Sequence, residues 1–522
     1  MQNKIVVAFF LGACLCGGMW SPHLSAQNGG QSTLRVTEAF IPRDFDILKS
    51  NTTETVRLGG LFFAKLYGFN TQGRIVAIAA QNELARGQGG QQTSFKVQLK
   101  PNLRWLGTTT SFGARDVKFT YDKLREKTSP THWSHQIIKA VNVLSDLSVE
   151  FVFSQSIYFD LMQDIFTIPI YPFNYAGRAE ADYFDTPNGL GPFSIMTPRE
   201  VDVINLARNS SYTLGNPPIA GVQVRRIPNK DQQFAEIAAK TIDVVPDLPP
   251  VYAVQVDQNP QLVLKPYNLP EYNYFAYNMR KANLSDVRVR QAFTLLADRQ
   301  RLLSTIYTGA SSGEVITGPL TPDSPFYNSA LQALTFDAQT AGRLLQDAKA
   351  EGKFDFNEVL TFKVPITGEQ STEALCLLFR QRLREVGVQV GEIQFMDFYA
   401  WRKAIFYDHE FDITYGVWTY GESVNLRALF HSDEAESGGL NFAGYSNPAL
   451  DALLDAVYSG AQKEPEIIRE MFHNAHKMIY DDCPYTFLFK LVKFAAHHQR
   501  AKKVNILPSN FYQYIHEWYL SE

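Results

Sequence analysis

Two histidine pairs stand at a spacing that could hold a metal. His132 and His135, and His473 and His476, are each three residues apart, which on a helix puts both imidazoles on one face. Neither pair has a cysteine or carboxylate at a recognised ligand spacing, so they read as surface histidines, and neither a metal nor another cofactor is expected. The chain has no His-Glu-x-x-His and no phosphate loop. Asp481 and Asp482 are adjacent, so their carboxylates diverge instead of sharing a proton. Nothing here pairs a nucleophile with a base, and an enzyme is not expected. A different chemistry lies in Gly416-Val417-Trp418-Thr419-Tyr420-Gly421-Glu422, at the end of an apolar run. Aromatic faces stack on rings and apolar groups, and a carboxylate holds a cation. That is the chemistry of recognition.

The cysteines do not form a disulfide framework. Cys14 and Cys16 lie in the N-terminal apolar segment, Cys376 sits in Ala-Leu-Cys-Leu-Leu-Phe, and Cys483 precedes Pro484. Two free thiols and a bridge between residues 376 and 483 both remain open.

Such a site needs a large scaffold. At 522 residues the chain exceeds the usual single-core size, so two or three domains are expected. The formal charge is -4, and nucleic acid is not an expected partner, because phosphate binding needs a concentrated basic surface. Lys4 followed by the apolar run Ile5 to Cys16 reads as an export signal, too short to span a bilayer. Two endings compete. Leu24-Ser25-Ala26 resembles a signal-peptidase site, giving a signal peptide over 1–26, whereas Leu11-Gly12-Ala13-Cys14 resembles a lipobox that would leave a lipid anchor on Cys14.

The apolar pattern alternates between strand and helix periods. Strands are expected at 94–99, 149–153, 201–206, 222–227, 242–245, 359–364, 388–395, 411–418 and 488–496. Helices are expected at 114–124, 232–240, 287–307, 338–350, 373–386, 448–458 and 465–480. This alternation implies α/β lobes. Arg288 and Arg290, near the start of one helix, read as ion-pair partners of acidic neighbours. Asn447 before Pro448 reads as a helix cap.

Five phrases occur in order: Gly189-Leu190-Gly191-Pro192-Phe193; Ala239-Lys240-Thr241-Ile242-Asp243; Asp286-Val287-Arg288-Val289-Arg290-Gln291-Ala292 leading to Ala297-Asp298-Arg299; Phe336-Asp337 with Ala341, Leu344, Leu345 and Ala348; and Gly444-Tyr445-Ser446-Asn447-Pro448. In this order and spacing the chain closely resembles the family 5 extracellular solute-binding proteins, the oligopeptide-, dipeptide- and nickel-binding type, from about Leu34 to the C-terminus. The resemblance implies an α/β, two-lobed periplasmic-binding-protein-like fold (type II, large cluster) with an inserted subdomain in the first lobe. On that pattern 34–62, 185–280 and 500–522 form lobe I, 63–184 the insertion and 281–499 lobe II. It further implies a periplasmic or extracytoplasmic monomer that captures a peptide or other small solute and delivers it to ABC transporter permease subunits.

One departure bears on the ligand. Peptide-binding members carry a Gly-Trp-x-x-Asp-type phrase whose aspartate holds the peptide's α-ammonium, and here Tyr420 falls at that position. A buried ammonium without its anion costs several kcal/mol. Either Glu422 substitutes or the solute has no free amine. The expected ligand-binding residues are therefore Trp418, Tyr420 and Glu422, with Tyr277 and Asn278 on the strand entering the second lobe. An oligosaccharide or metal complex as ligand, or sensing or chaperoning in place of uptake, are the alternatives.

Overall fold

The computed structural model describes residues 33–49, 52–70, 74–84, 93–125, 137–154, 163–306, 313–368, 370–420, 424–458, 464–507 and 510–521. The export segment, Cys14, His132, His135 and Glu422 lie outside the described residues.

Two mixed sheets organise the molecule. The first has seven strands in the order Leu262–Tyr267, Lys493–His498, Val244–Leu248, Thr33–Glu38, Gly221–Arg226, Val203–Arg208 and Phe193–Ile195. Its centre is parallel: Thr33–Glu38 runs alongside both Gly221–Arg226 and Val244–Leu248. Buried Leu34, Val36, Val222, Val224 and Val244 make these strands apolar on the packed face, as parallel strands require. The second sheet has five strands in the order Val390–Met396, Leu360–Pro365, Ile413–Thr419, Glu271–Tyr277 and Tyr485–Phe487. Leu360–Pro365 is parallel to both of its neighbours, and helix Gln370–Glu385 makes the crossover between Leu360–Pro365 and Val390–Met396. One face packs Phe275, Tyr277, Phe362 and Val364 on Val289, Phe293, Leu345 and Phe379. The other packs Tyr272, Tyr274 and Tyr485 against Phe430 and Phe442. A three-stranded sheet, Ser94–Gln98, Ser148–Phe153 and Ile138–Ser145, carries helix Ala114–Leu124 within 63–184.

Two short crossings join the sheets. Leu262–Tyr267 belongs to the first and Glu271–Tyr277 to the second, so the chain crosses over 268–270, earlier than the sequence boundary at 280. The apolar run 488–496, expected as one strand, divides. Phe489–Leu491 pairs with Gly313–Val315, and Lys493–His498 enters the first sheet, so the return comes before 493 instead of at 499. Apolarity marks burial, and the two halves are buried in different lobes. The long helix expected over 287–307 likewise breaks into Val287–Leu296 and Arg299–Ile306 around Asp298, whose φ is 37°. The break turns Arg299 inward, where it donates to the carbonyls of Ile316 and Phe487.

The phrases of the sequence act as scaffold. A Cβ on Gly189 would lie 1.6 Å from the Phe62 carbonyl oxygen, so only glycine fits there. Asn447 caps helix Pro448–Tyr458 by accepting from the backbone N–H groups of Ala449 and Leu450. Arg288 pairs with Asp286 and Glu351. Arg290 departs from expectation: it is buried and donates to the carbonyls of Leu284, Ser285, Asp482 and Cys483, with no carboxylate among the described residues bonded to it. Cys376 and Cys483 are free and buried.

Candidate functional site

The C-terminal ends of the two sets of parallel strands meet. Phe40, two residues past Thr33–Glu38, has its ring 6.4 Å from Phe398 and 6.1 Å from Tyr399, which follow Val390–Met396. The Arg43 guanidinium stacks on the Tyr399 ring at 4.9 Å. The Arg402 guanidinium donates to the Lys49 carbonyl at 3.3 Å. Pro228, just past Gly221–Arg226, faces Gly368, just past Leu360–Pro365; a Cβ on Gly368 would sit 3.0 Å from its carbonyl oxygen. In open α/β sheets ligands bind outside the carboxyl ends of the strands, and here two such ends enclose one cleft.

Paired charges gather at the carboxyl ends of the first sheet's central strands. Arg57 donates to both carboxylate oxygens of buried Glu38, at 2.7 and 2.5 Å. Burial pushes the Glu38 carboxyl up, and Arg57 opposes that push only in part. Lys230 donates to Asp247 at 2.9 Å. Burial would raise the Asp247 carboxyl, but Lys230 and Lys493 outweigh it and hold it below its ordinary value. Lys493 pairs with Glu271 at 3.0 Å, and Thr419 donates to the same carboxylate at 2.9 Å. Glu271 and Thr419 belong to the second sheet and Lys493 to the first, so this pair ties the two crossings together.

The expected site residues divide. Trp418 and Tyr420 stand at the end of Ile413–Thr419, with rings 6.4 Å apart. Trp418 is half-buried, and its indole N–H is buried without a hydrogen-bond partner. Tyr420 turns into the lobe. It is 6% exposed, its N–H donates to the Pro270 carbonyl, and its ring lies 6.0 Å from Tyr272. Burial, with Tyr458 nearby, pushes its hydroxyl well above the ordinary tyrosine range. Tyr277 and Asn278 do not face the cleft. The Tyr277 side chain is fully buried against Phe293, and its hydroxyl lies 2.6 Å from Thr486 Oγ1. Asn278 donates to the carbonyls of His409 and Phe411. Tyr277 ends the strand that enters the second lobe and Asn278 follows it, and their side chains are spent inside that lobe. His476 is core rather than surface: Nε2 lies 3.1 Å from Thr317 Oγ1 and Nδ1 accepts from Asn328 N–H. Burial, with His473, lowers it to about 4.

Phe40, Arg43, Pro228, Gly368 and Tyr399 were not legible as site residues. They belong to no recurring phrase and come from segments far apart in the chain; the only available signal was their place just after strand-like runs.

Residues 82–435 match the family model described as bacterial extracellular solute-binding proteins, family 5, middle region. The chain belongs to this family. It is therefore an extracytoplasmic solute-binding component of an ABC transporter and not an enzyme. The chain is 24% identical over 421 residues to heme-binding protein A of Haemophilus influenzae, covering 76% of this chain and 74% of that one. It is 23% identical over 538 residues to a probable di/tripeptide-binding protein of Pseudomonas aeruginosa, covering 94% and 96%. The oligopeptide-binding protein AppA of Bacillus subtilis, solved with a nonapeptide, superposes with a TM-score of 0.84 at 20% identity, covering 94% of this chain and 99% of that one. At that identity the superposition shows the two-lobed fold of this family 5 protein. No helix among the described residues is long and apolar enough to cross a membrane.

Proposed function

We propose that this family 5 protein captures a peptide or peptide-like solute between its lobes and hands it to ABC permease subunits as a monomer. One observation carries the reading: the carboxyl ends of both parallel strand sets close on one cleft through Phe40, Arg43 and Pro228 on one side and Phe398, Tyr399 and Gly368 on the other. A solute in that cleft touches both lobes only when they are closed, so its binding energy favours closure. The names of the Pseudomonas and Bacillus relatives favour a peptide. Trp418 is the cleft residue proposed to contact the solute, with Glu422 as the anion for an α-ammonium in place of the aspartate. The mature chain starts after Ala26 or carries a lipid at Cys14.

The test is a thermal-shift series on the purified mature protein with tripeptides, their N-acetylated forms, haem, oligosaccharides and a nickel–histidine complex. A ligand bound only by the folded state raises Tm by mass action. Stabilisation by free tripeptides and loss of it on N-acetylation is the expected result. Stabilisation by haem, oligosaccharide or nickel–histidine alone refutes the peptide reading.

A further inference from the structure

Three large apolar side chains stay open at the cleft end of the second sheet: Ile366 at 60% exposed, Val417 at 41% and Phe395 at 37%. The strand register places them together. Phe395 lies opposite Val364, and Phe362 lies opposite Ile413. Carried two rungs further, the same register sets Ile366 beside Val417. All three project to the face that deeper in the lobe holds buried Phe362, Val364, Ile413 and Tyr415, so the core face continues outward to the carboxyl end of the sheet.

Lobe closure does not cover this patch. Gly368, two residues past Ile366, already abuts Pro228, and Phe398, three past Phe395, already packs on Phe40. With the rims already in contact beside it, the patch stays exposed among the described residues. Two described carboxylates near it are engaged. Asp397 caps the helix Phe398–Arg402 by accepting from Tyr399 N–H, and Glu271 is held by Lys493 and Thr419. An uncovered apolar surface gains most from an apolar occupant that displaces its water.

We infer that Ile366, Phe395 and Val417 form a specificity subsite for an apolar side chain of the captured solute. The subsite presupposes the peptide-like solute proposed above and adds its character: aliphatic or aromatic at this position, and not charged. Trp418, the next residue along the strand, projects to the opposite face, so it contacts a different part of the solute.

The experiment uses the purified mature protein, a random tripeptide library and native mass spectrometry to read which peptides are retained. Wild type enriches peptides bearing Leu, Ile, Val, Met or Phe about tenfold over those bearing Asp, Glu or Lys at the same position, the scale expected for burying one such side chain. Ile366→Asp with Val417→Asp abolishes that enrichment. Ile366→Thr with Val417→Thr, nearer in shape, reduces it, which guards against misfolding of the first pair. Peptides retained with the same apolar preference by both variant pairs overturn the subsite and leave peptide capture standing. Retention of no peptide by wild type overturns the peptide reading and the subsite with it.

Discussion

Lys493 and Glu271 form a 3.0 Å ion pair between the two stretches of chain that cross from one lobe to the other. Glu271 opens the second sheet and Lys493 rejoins the first. Any movement of one lobe against the other must pass through the segments this pair connects. The Glu271 side chain is almost fully buried, so it depends on Lys493 and Thr419 for compensation.

Lys493→Met should lower stability by about 2 kcal/mol, because it leaves a buried carboxylate with one hydroxyl donor. Urea unfolding of the variant checks this. The double variant Lys493→Met with Glu271→Gln should recover part of the loss, since the uncompensated charge is then gone.

Arg43→Ala tests the contact that exists only between lobes. Its guanidinium stacks on Tyr399 in an exposed position, and such contacts contribute about 0.5–1 kcal/mol. Solute affinity should fall about two- to fivefold, mainly through faster release, while the apo Tm stays unchanged. An equal loss of apo stability would show that Arg43 supports its own lobe instead.

Tyr420→Ala should act on folding first. The residue is buried among Tyr272, Trp418 and the second-lobe core, so truncation leaves a cavity and costs about 3 kcal/mol. Trp418→Ala, at a side chain that is only partly buried, should cost less stability and more affinity. Paired calorimetry on the two variants separates these roles.

Glu434 makes stability depend on pH. Burial raises its carboxyl to about 7; Arg427 pulls it down, and Asp433 and Glu436 push it up again. A carboxyl whose folded value lies above its unfolded value is favoured by folding in the protonated form. Its contribution is therefore fully present below about pH 4.5 and is lost as pH rises toward 7. Relative to Glu434→Gln, the wild type should lose on the order of 2 kcal/mol between those limits, read by thermal unfolding at stepped pH.

Most local elements were legible because their causes are local. Helix Ala114–Leu124 and helix Pro448–Tyr458 fall where apolar spacing and a capping asparagine put them. The long helix failed at Asp298 because the positive φ there is stabilised by what Arg299 reaches in distant segments. The strand expected over 488–496 failed because a continuous apolar run cannot say whether one lobe or two will bury it.

The site was legible only in part. Gly416–Glu422 drew notice through its aromatics, yet Trp418 is left half-buried while Tyr420 is buried, a difference set by what packs on each and not by their spacing.

By itself the sequence determined the α/β class, most of the helices and strands and the family, because periodicity, caps and recurring phrases are written in neighbouring residues. Tertiary structure alone decided where the chain crosses between lobes, which side chains face the cleft, and that Phe40, Arg43 and Pro228 meet Phe398, Tyr399 and Gly368. Those contacts join segments more than a hundred residues apart. Their partners are set by how two separately packed sheets come together, and no short-range pattern records that.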